Sequence, residues 1–246
     1  MKLRFLVLLL IIVSIFSTHS LALTKTTTTV AAPCVVGHTA PAAGFWTWPA
    51  NTQVKIYLRT PDFSEAEVAA VRVAVHNWDE SARENGSNVH FVVPGLTAEM
   101  KTATGEMTLV RGDVYTKKIR HLALLQAHSL KQDQLIDYAL LIVDFSVKNP
   151  AVLTNVMAHE IGHSLGLLDC VTCKGGSSAM GLLKDNGESN GIEGPTTCDK
   201  AGVETAYREL LARVGPAPRL LKNAVVEEGE EPEEDDTAVV MVAKKP

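Results

Sequence analysis

The 246-residue chain contains no uninterrupted apolar run of about 20 residues, the length a helix needs to cross a bilayer. It has no basic excess either. Lys and Arg number 23 against 28 Asp and Glu, so there is no cationic stripe of the kind that neutralising a phosphate backbone requires, and no nucleic-acid partner is expected. Cysteine is sparse, with four residues and a single CxxC, which leaves out a site built from two such pairs. No repeat of 20 to 50 residues points to a solenoid or propeller. Aromatic residues are absent from 223–246, so that end has little with which to build a core of its own.

What is present divides into a body and two distinctive ends. The hydrophobic fraction of 46% suffices for a sizeable core. Lys2 and Arg4 precede a 12-residue apolar run over 5–16, broken only by Ser14, and small residues follow to Ala22. That is the layout of a secretory signal, with 1–22 removed after Ala22. No Cys directly follows the run, which argues against a lipoprotein. Residues 23–45 read as an N-terminal lead-in or short pro-segment, and 46–215 as the folded domain. Eight acidic residues crowd into 227–236, so 216–246 is expected to be an acidic disordered tail. Leaving out the two basic residues near each end and those eight acids brings the charged count to 19 basic and 20 acidic, an almost neutral body.

Cys34, Cys170, Cys173 and Cys198 all lie beyond the signal, where an even count points to structural disulfides. Four cysteines allow three pairings. The expected one ties Cys170 or Cys173 to Cys198.

Strands are expected at 54–58, where Val54, Ile56 and Leu58 alternate with Lys55 and Tyr57, and at 89–93, 106–110, 122–127 and 139–143. Ser64 and Glu67 form a capping-box pattern ahead of Val68, Val71, Val75 and Trp78 on one helical face, predicting a helix that stops near Glu84. A second helix should run from Asn149-Pro150 to about Leu165, before Gly166. A closing helix should span about 199–213, with an irregular loop over 175–194 before it. Strands ahead of helices predict an α+β domain with a mixed twisted sheet and two long helices.

The chemistry concentrates in His159-Glu160-Ile161-Gly162-His163-Ser164-Leu165-Gly166-Leu167-Leu168-Asp169. Two His four apart project from one face of a helix, about 40° apart, so their imidazoles can converge on one ion. Glu160 lies about 100° round from His159, placed to act on a metal-activated water as base and not as a third ligand. If the helix continued, Asp169 would stand about 9 Å beyond His163 and about 240° round. A turn at Gly166, the residue suited to a left-handed helix end, could instead return Asp169 as a third ligand. Given the 8 His and 17 Glu of this chain, HExxH arises by chance about 0.02 times per chain. Coincidence is a poor explanation.

This stretch resembles the extended motif of the metzincin metallopeptidases, HExxHxxGxx followed by His or Asp. Ser177-Ser178-Ala179-Met180-Gly181 looks like their methionine-bearing turn. The third position holds Asp169, as in snapalysin-like members, instead of the His of matrixins and astacins. The resemblance implies a metzincin-like catalytic domain with a Met-turn and a C-terminal helix bearing a Tyr such as Tyr207. It implies one catalytic zinc ion held by His159, His163 and Asp169, with Glu160 as general base and Met180 packed beneath the ligands. It also implies a substrate lying extended beside an edge strand, by order the one at 122–127. The expected protein is a secreted or extracytoplasmic, monomeric zinc endopeptidase acting on proteins or peptides, without stable membrane insertion once the signal is gone. Cys34 is expected in a disulfide and not as a zinc-blocking thiolate. The alternative is a catalytically silent secreted zinc-containing binding or adhesion module, which the presence of Glu160 disfavours.

Overall fold

A computed structural model describes residues 47–116, 119–129, 135–170, 173, 177–181, 183, 191–214 and 237–242. The chain divides into two units, Met1–Pro33 and Cys34–Pro246. The expected signal at 1–22, the lead-in at 23–45 and Cys34 lie outside the described residues, as does half of the loop at 175–194.

The described elements run β1 (Gln53–Arg59), α1 (Glu65–Glu80), β2 (His90–Thr97), β3 (Glu106–Gly112), β4 (Tyr115–Thr116), β5 (Ile119–Arg120), β6 (Ala123–Ser129), β7 (Tyr138–Asp144), α2 (Pro150–Ser164), α3 (Thr197–Val214) and β8 (Thr237–Val242). This is an α+β arrangement with a mixed sheet. Strand order is β2-β1-β3-β7-β6-β8. The first four strands run parallel, while β6 is antiparallel to both β7 and β8. Strands β4 and β5 form a separate small ribbon. Among the described residues no helix is long and apolar enough to cross a membrane.

The period-2 pattern of β1 buries Val54, Ile56 and Leu58 while Gln53 and Lys55 face solvent. Those three share one core with Val71, Val75 and Trp78 of α1 and Leu153, Val156 and Met157 of α2. Helix α1 begins at the expected capping box: Ser64 N donates to Glu67 Oε2 at 2.8 Å, and Glu67 N returns a bond to Ser64 Oγ at 3.4 Å. It ends at Glu80, not near Glu84. Ser81 N and Ala82 N bond to Trp78 O and Asp79 O, tightening the last turn, and the Ser81 hydroxyl also takes Trp78 O. The chain then turns through Asn85 and Gly86, the glycine at φ +72.

Two further expectations change. The acidic tail expected to be disordered over 216–246 contains β8, paired residue for residue with β6 from Leu124↔Val242 to Ser129↔Thr237. The segment reads Thr-Ala-Val-Val-Met-Val, β-branched and uncharged directly after the acidic run, a composition suited to a strand. Cys170 is bonded to Cys173, with Cα atoms 5.3 Å apart, and not to Cys198. One turn of chain already brings the CxxC thiols within bridging distance, which a link to Cys198 does not improve on. Cys198 is itself disulfide-bonded.

Candidate metal centre

Helix α2 carries the His159 motif into the core. Asn149 caps its first turn by accepting from Ala151 N at 3.0 Å, and Pro150 sits where its missing N–H is of no consequence. Every residue from Val152 to Ser164 is buried, including His159, Glu160 and His163. At the other end Gly166 takes φ +87. Gly166 N bonds to His163 O at 2.9 Å and Leu167 N to Gly162 O at 3.1 Å, the paired bonds of a Schellman helix end. The chain reverses there and returns Asp169 to the two histidines.

The three side chains meet. His159 Nε2 lies 3.1 Å and His163 Nε2 3.3 Å from Asp169 Oδ1. The two rings stand 4.7 Å apart and nearly perpendicular, at 88°. His159 Nδ1 faces Ala179 O at 2.9 Å and His163 Nδ1 faces Leu167 O at 2.8 Å. A carbonyl only accepts, so each Nδ1 holds a proton, and each Nε2 faces Asp169, where it donates when protonated and offers a lone pair to a metal when not. Ligands on a tetrahedral zinc with bonds of about 2.1 Å stand about 3.4 Å from one another. The histidine-to-Asp169 separations match that spacing, and the group could hold a metal ion.

The electrostatics fit the same use. Burial pushes the Asp169 carboxyl up, but the hydrogen bond from His159 and the nearby His163 outweigh it and hold the group well below the usual carboxylate range. For His163, burial works against the charged form, yet Asp169 and Glu160 together raise its affinity for a proton. Glu160 is fully buried and neither carboxylate oxygen has a hydrogen-bond partner among the described residues. Burial raises its pKa despite the opposing pull of His163 and His159. A buried carboxylate left unpaired beside three ligand groups is expensive unless a cation or an ordered water completes the site.

Met180 is fully buried, and a Cβ added at Gly162 would overlap its sulfur. Gly162, between the two histidines, is thus the opening through which the Met180 side chain packs against the helix. Cys170 N bonds to Met180 O at 2.7 Å. This ties the strand of chain after Asp169 to the Met180 turn, next to the Cys170–Cys173 bridge.

Two contributors were not singled out from sequence. Asp199 is fully buried and accepts from Ser178 Oγ at 2.5 Å and from Ala179 N at 2.8 Å. The carbonyl of the same Ala179 faces His159 Nδ1, so Asp199 anchors the residue whose carbonyl orients His159. Its signal was legible as Thr196-x-x-Asp199, a capping pattern: Asp199 Oδ2 also accepts from Thr196 N at 2.8 Å and starts α3. Trp78, read from sequence as core alone, also donates from Nε1 to Ala158 O at 2.8 Å, bracing α2 beside His159. Tyr207, on α3, accepts from Thr47 Oγ1 at 2.6 Å and donates to Trp48 O at 2.9 Å. Trp48 N in turn reaches Ser164 O at the end of α2.

The chain matches no known protein family, and no curated protein matches it.

Proposed function

We propose that the protein is a secreted zinc-dependent endopeptidase of the metzincin type, with His159, His163 and Asp169 as the metal ligands and Glu160 as general base. The observation that carries this reading is the pairing of a convergent His-His-Asp group with a buried carboxylate, next to it in sequence, that has no hydrogen-bond partner among the described residues. A purely structural metal site is closed by four protein ligands, whereas three ligands leave a position for substrate and water. The motif resemblance over 159–169 and the Met180 turn support the same assignment.

In this reading a metal held by His159, His163 and Asp169 would supply Lewis acidity toward a scissile carbonyl and a water near neutral pH. Glu160 accepts the proton of the attacking water and passes it to the departing amine. Its buried setting suits that task, since a carboxyl with raised proton affinity both takes and returns a proton. His159 and His163 keep their Nε2 lone pairs aimed at the site through the carbonyls of Ala179 and Leu167. Asp169 adds the negative charge that holds a divalent cation in a largely buried place. The leading apolar run over 5–16 supports export, the setting in which the Cys170–Cys173 bridge would persist.

The test is hydrolysis of a denatured protein mixture by the purified, zinc-loaded chain with and without a chelator. Cleavage is expected to stop with chelator and return with zinc, and Glu160→Ala is expected to keep the metal while losing about 10²-fold to 10⁴-fold in activity. A chain that binds zinc and cleaves no peptide, or a Glu160→Ala variant as active as the parent, contradicts the assignment.

A further inference from the structure

The outer side of β6 holds the observation that the proposed activity does not explain. Strand β6 packs on α2, the helix bearing His159, Glu160 and His163, and on one side it pairs with β7. Its other side would be the edge of the sheet, a row of backbone N–H and C=O groups that an extended peptide can add to as a strand. That row is already taken. Thr237–Val242 lies antiparallel along it, in unbroken register from Leu124↔Val242 to Ser129↔Thr237.

We propose that Thr237–Val242 is a built-in occupant of the peptide-binding edge of β6, so that the C-terminal segment restrains access to the site. This inference rests on the endopeptidase reading, because it takes the β6 edge beside α2 as the place where an extended chain is held. The occupant is a segment of this same chain, and its composition suits the role. Thr-Ala-Val-Val-Met-Val is free of charge and rich in β-branched residues, directly after eight acids within 227–236. Such a run adds readily to an open sheet edge, while the acidic stretch before it has little tendency to form a strand.

The tether permits the arrangement. Residues 215–236 separate α3 from β8, and a stretch of that length can span up to about 75 Å when extended. A segment joined to its site by a linker of this length is held at an effective concentration on the order of 1 mM. If the six-residue strand alone binds with a dissociation constant of about 0.1 mM, the tethered copy weakens a competing peptide about tenfold. Substrates that pair more extensively, or that also fill the metal site, would displace it. The segment then acts as a threshold against weak peptides and not as an absolute block.

The experiment separates docking from catalysis. The probe is a fluorescein-labelled peptide of sequence Thr-Ala-Val-Val-Met-Val, and the proteins carry Glu160→Ala so that the probe is not consumed. The full chain with Val239→Pro and Val240→Pro loses strand donors in β8. It is expected to bind the probe about tenfold more tightly than the chain with its own β8 intact. A second chain of unchanged length, with 237–242 replaced by Gly and Ser, is expected to behave like the proline variant. Equal probe affinity in all three, or no binding to the two altered chains, overturns the proposal. Hydrolysis is then measured with Glu160 present. The altered chains are expected to show a lower KM for a short peptide at unchanged kcat, and an unchanged KM overturns restraint at the substrate edge. If no chain hydrolyses any peptide while the probe competition holds, the endopeptidase reading fails and the docked strand stands.

Discussion

Helices α1 and α2 have 16 and 15 residues, pack against each other, and place their polar residues in opposite ways. In α1 the apolar stripe of Ala70, Val71, Ala74, Val75 and Trp78 is buried and the charged residues Glu65, Arg72 and Glu80 face water, as does His76. In α2 the polar residues Asn155, His159, Glu160 and His163 are buried with the apolar ones. A polar side chain on the outside of α1 asks for nothing beyond solvent. Each one inside α2 must find a partner or carry a desolvation penalty. His159 and His163 find theirs in Ala179 O, Leu167 O and Asp169, while Glu160 has no hydrogen-bond partner among the described residues. A histidine on α1 is surface; the same residue type on α2 is part of a site.

That contrast can be broken experimentally. The largest effect is expected from Glu160→Ala on turnover, a loss of about 10²-fold to 10⁴-fold with zinc stoichiometry unchanged, read by peptide hydrolysis and metal analysis. Stability should rank the two helices the other way. Trp78→Ala removes a buried ring and its bond to Ala158 O, with an expected loss of about 3–5 kcal/mol in urea unfolding. Glu160→Ala in the metal-free protein is expected to stay within about 1 kcal/mol of the parent, because lost packing is offset by relief of an unpaired buried carboxylate. A large loss there would show that Glu160 has a structural partner.

Gly162→Ala sets helix propensity against packing. Ala favours a helix by about 1 kcal/mol over Gly, but its Cβ would overlap the Met180 sulfur. Overpacking of about 1–3 kcal/mol is expected to dominate, lowering the unfolding midpoint. A stabilised variant would mean that Met180 moves aside freely. Asp199→Ala should lower zinc affinity about tenfold by freeing Ala179, whose carbonyl orients His159, read by chelator competition, and weaken the start of α3 by about 1 kcal/mol.

The smallest expected effect is on pH dependence. His163 is raised, so in the metal-free protein its contribution is complete below pH 6.5 and lost as pH rises through its folded value. Asp169 is depressed, so its contribution is complete above about pH 3.9 and lost as pH falls toward its lowered value. A bound metal needs His163 neutral and competes with that proton. The gain in Tm on adding zinc should therefore be larger at pH 8 than at pH 6, by differential scanning calorimetry. An equal gain at both would remove His163 from the ligand set.

The sequence made local features legible where the determinant is itself local. Ser64 and Glu67, Asn149-Pro150 and Gly166 mark helix ends through bonds spanning a few residues, and α1 starts, α2 starts and α2 stops where they indicate. The same logic shows that a continuing helix would carry Asp169 away from His159 and that a turn at Gly166 could bring it back, and the observed helix end does so. Strand existence was legible in β1, β2, β3, β6 and β7, but their order was not. Placing β1 between β2 and β3 depends on tertiary packing. Asp199 was missed as a support of His159 because its contact with Ala179 bridges 20 positions, though its capping pattern was in view. Strand β8 was hidden by the charge of its neighbours: eight acids dominate a window in which six strand-forming residues are easily overlooked.

The most direct test of the central claim is the crystal structure of the zinc-loaded chain. The account expects one zinc with His159 Nε2 and His163 Nε2 at about 2.0–2.1 Å and one Asp169 oxygen at about 2.0–2.2 Å. A zinc bound elsewhere, or bound by the histidines with the Asp169 carboxylate turned away, would contradict it.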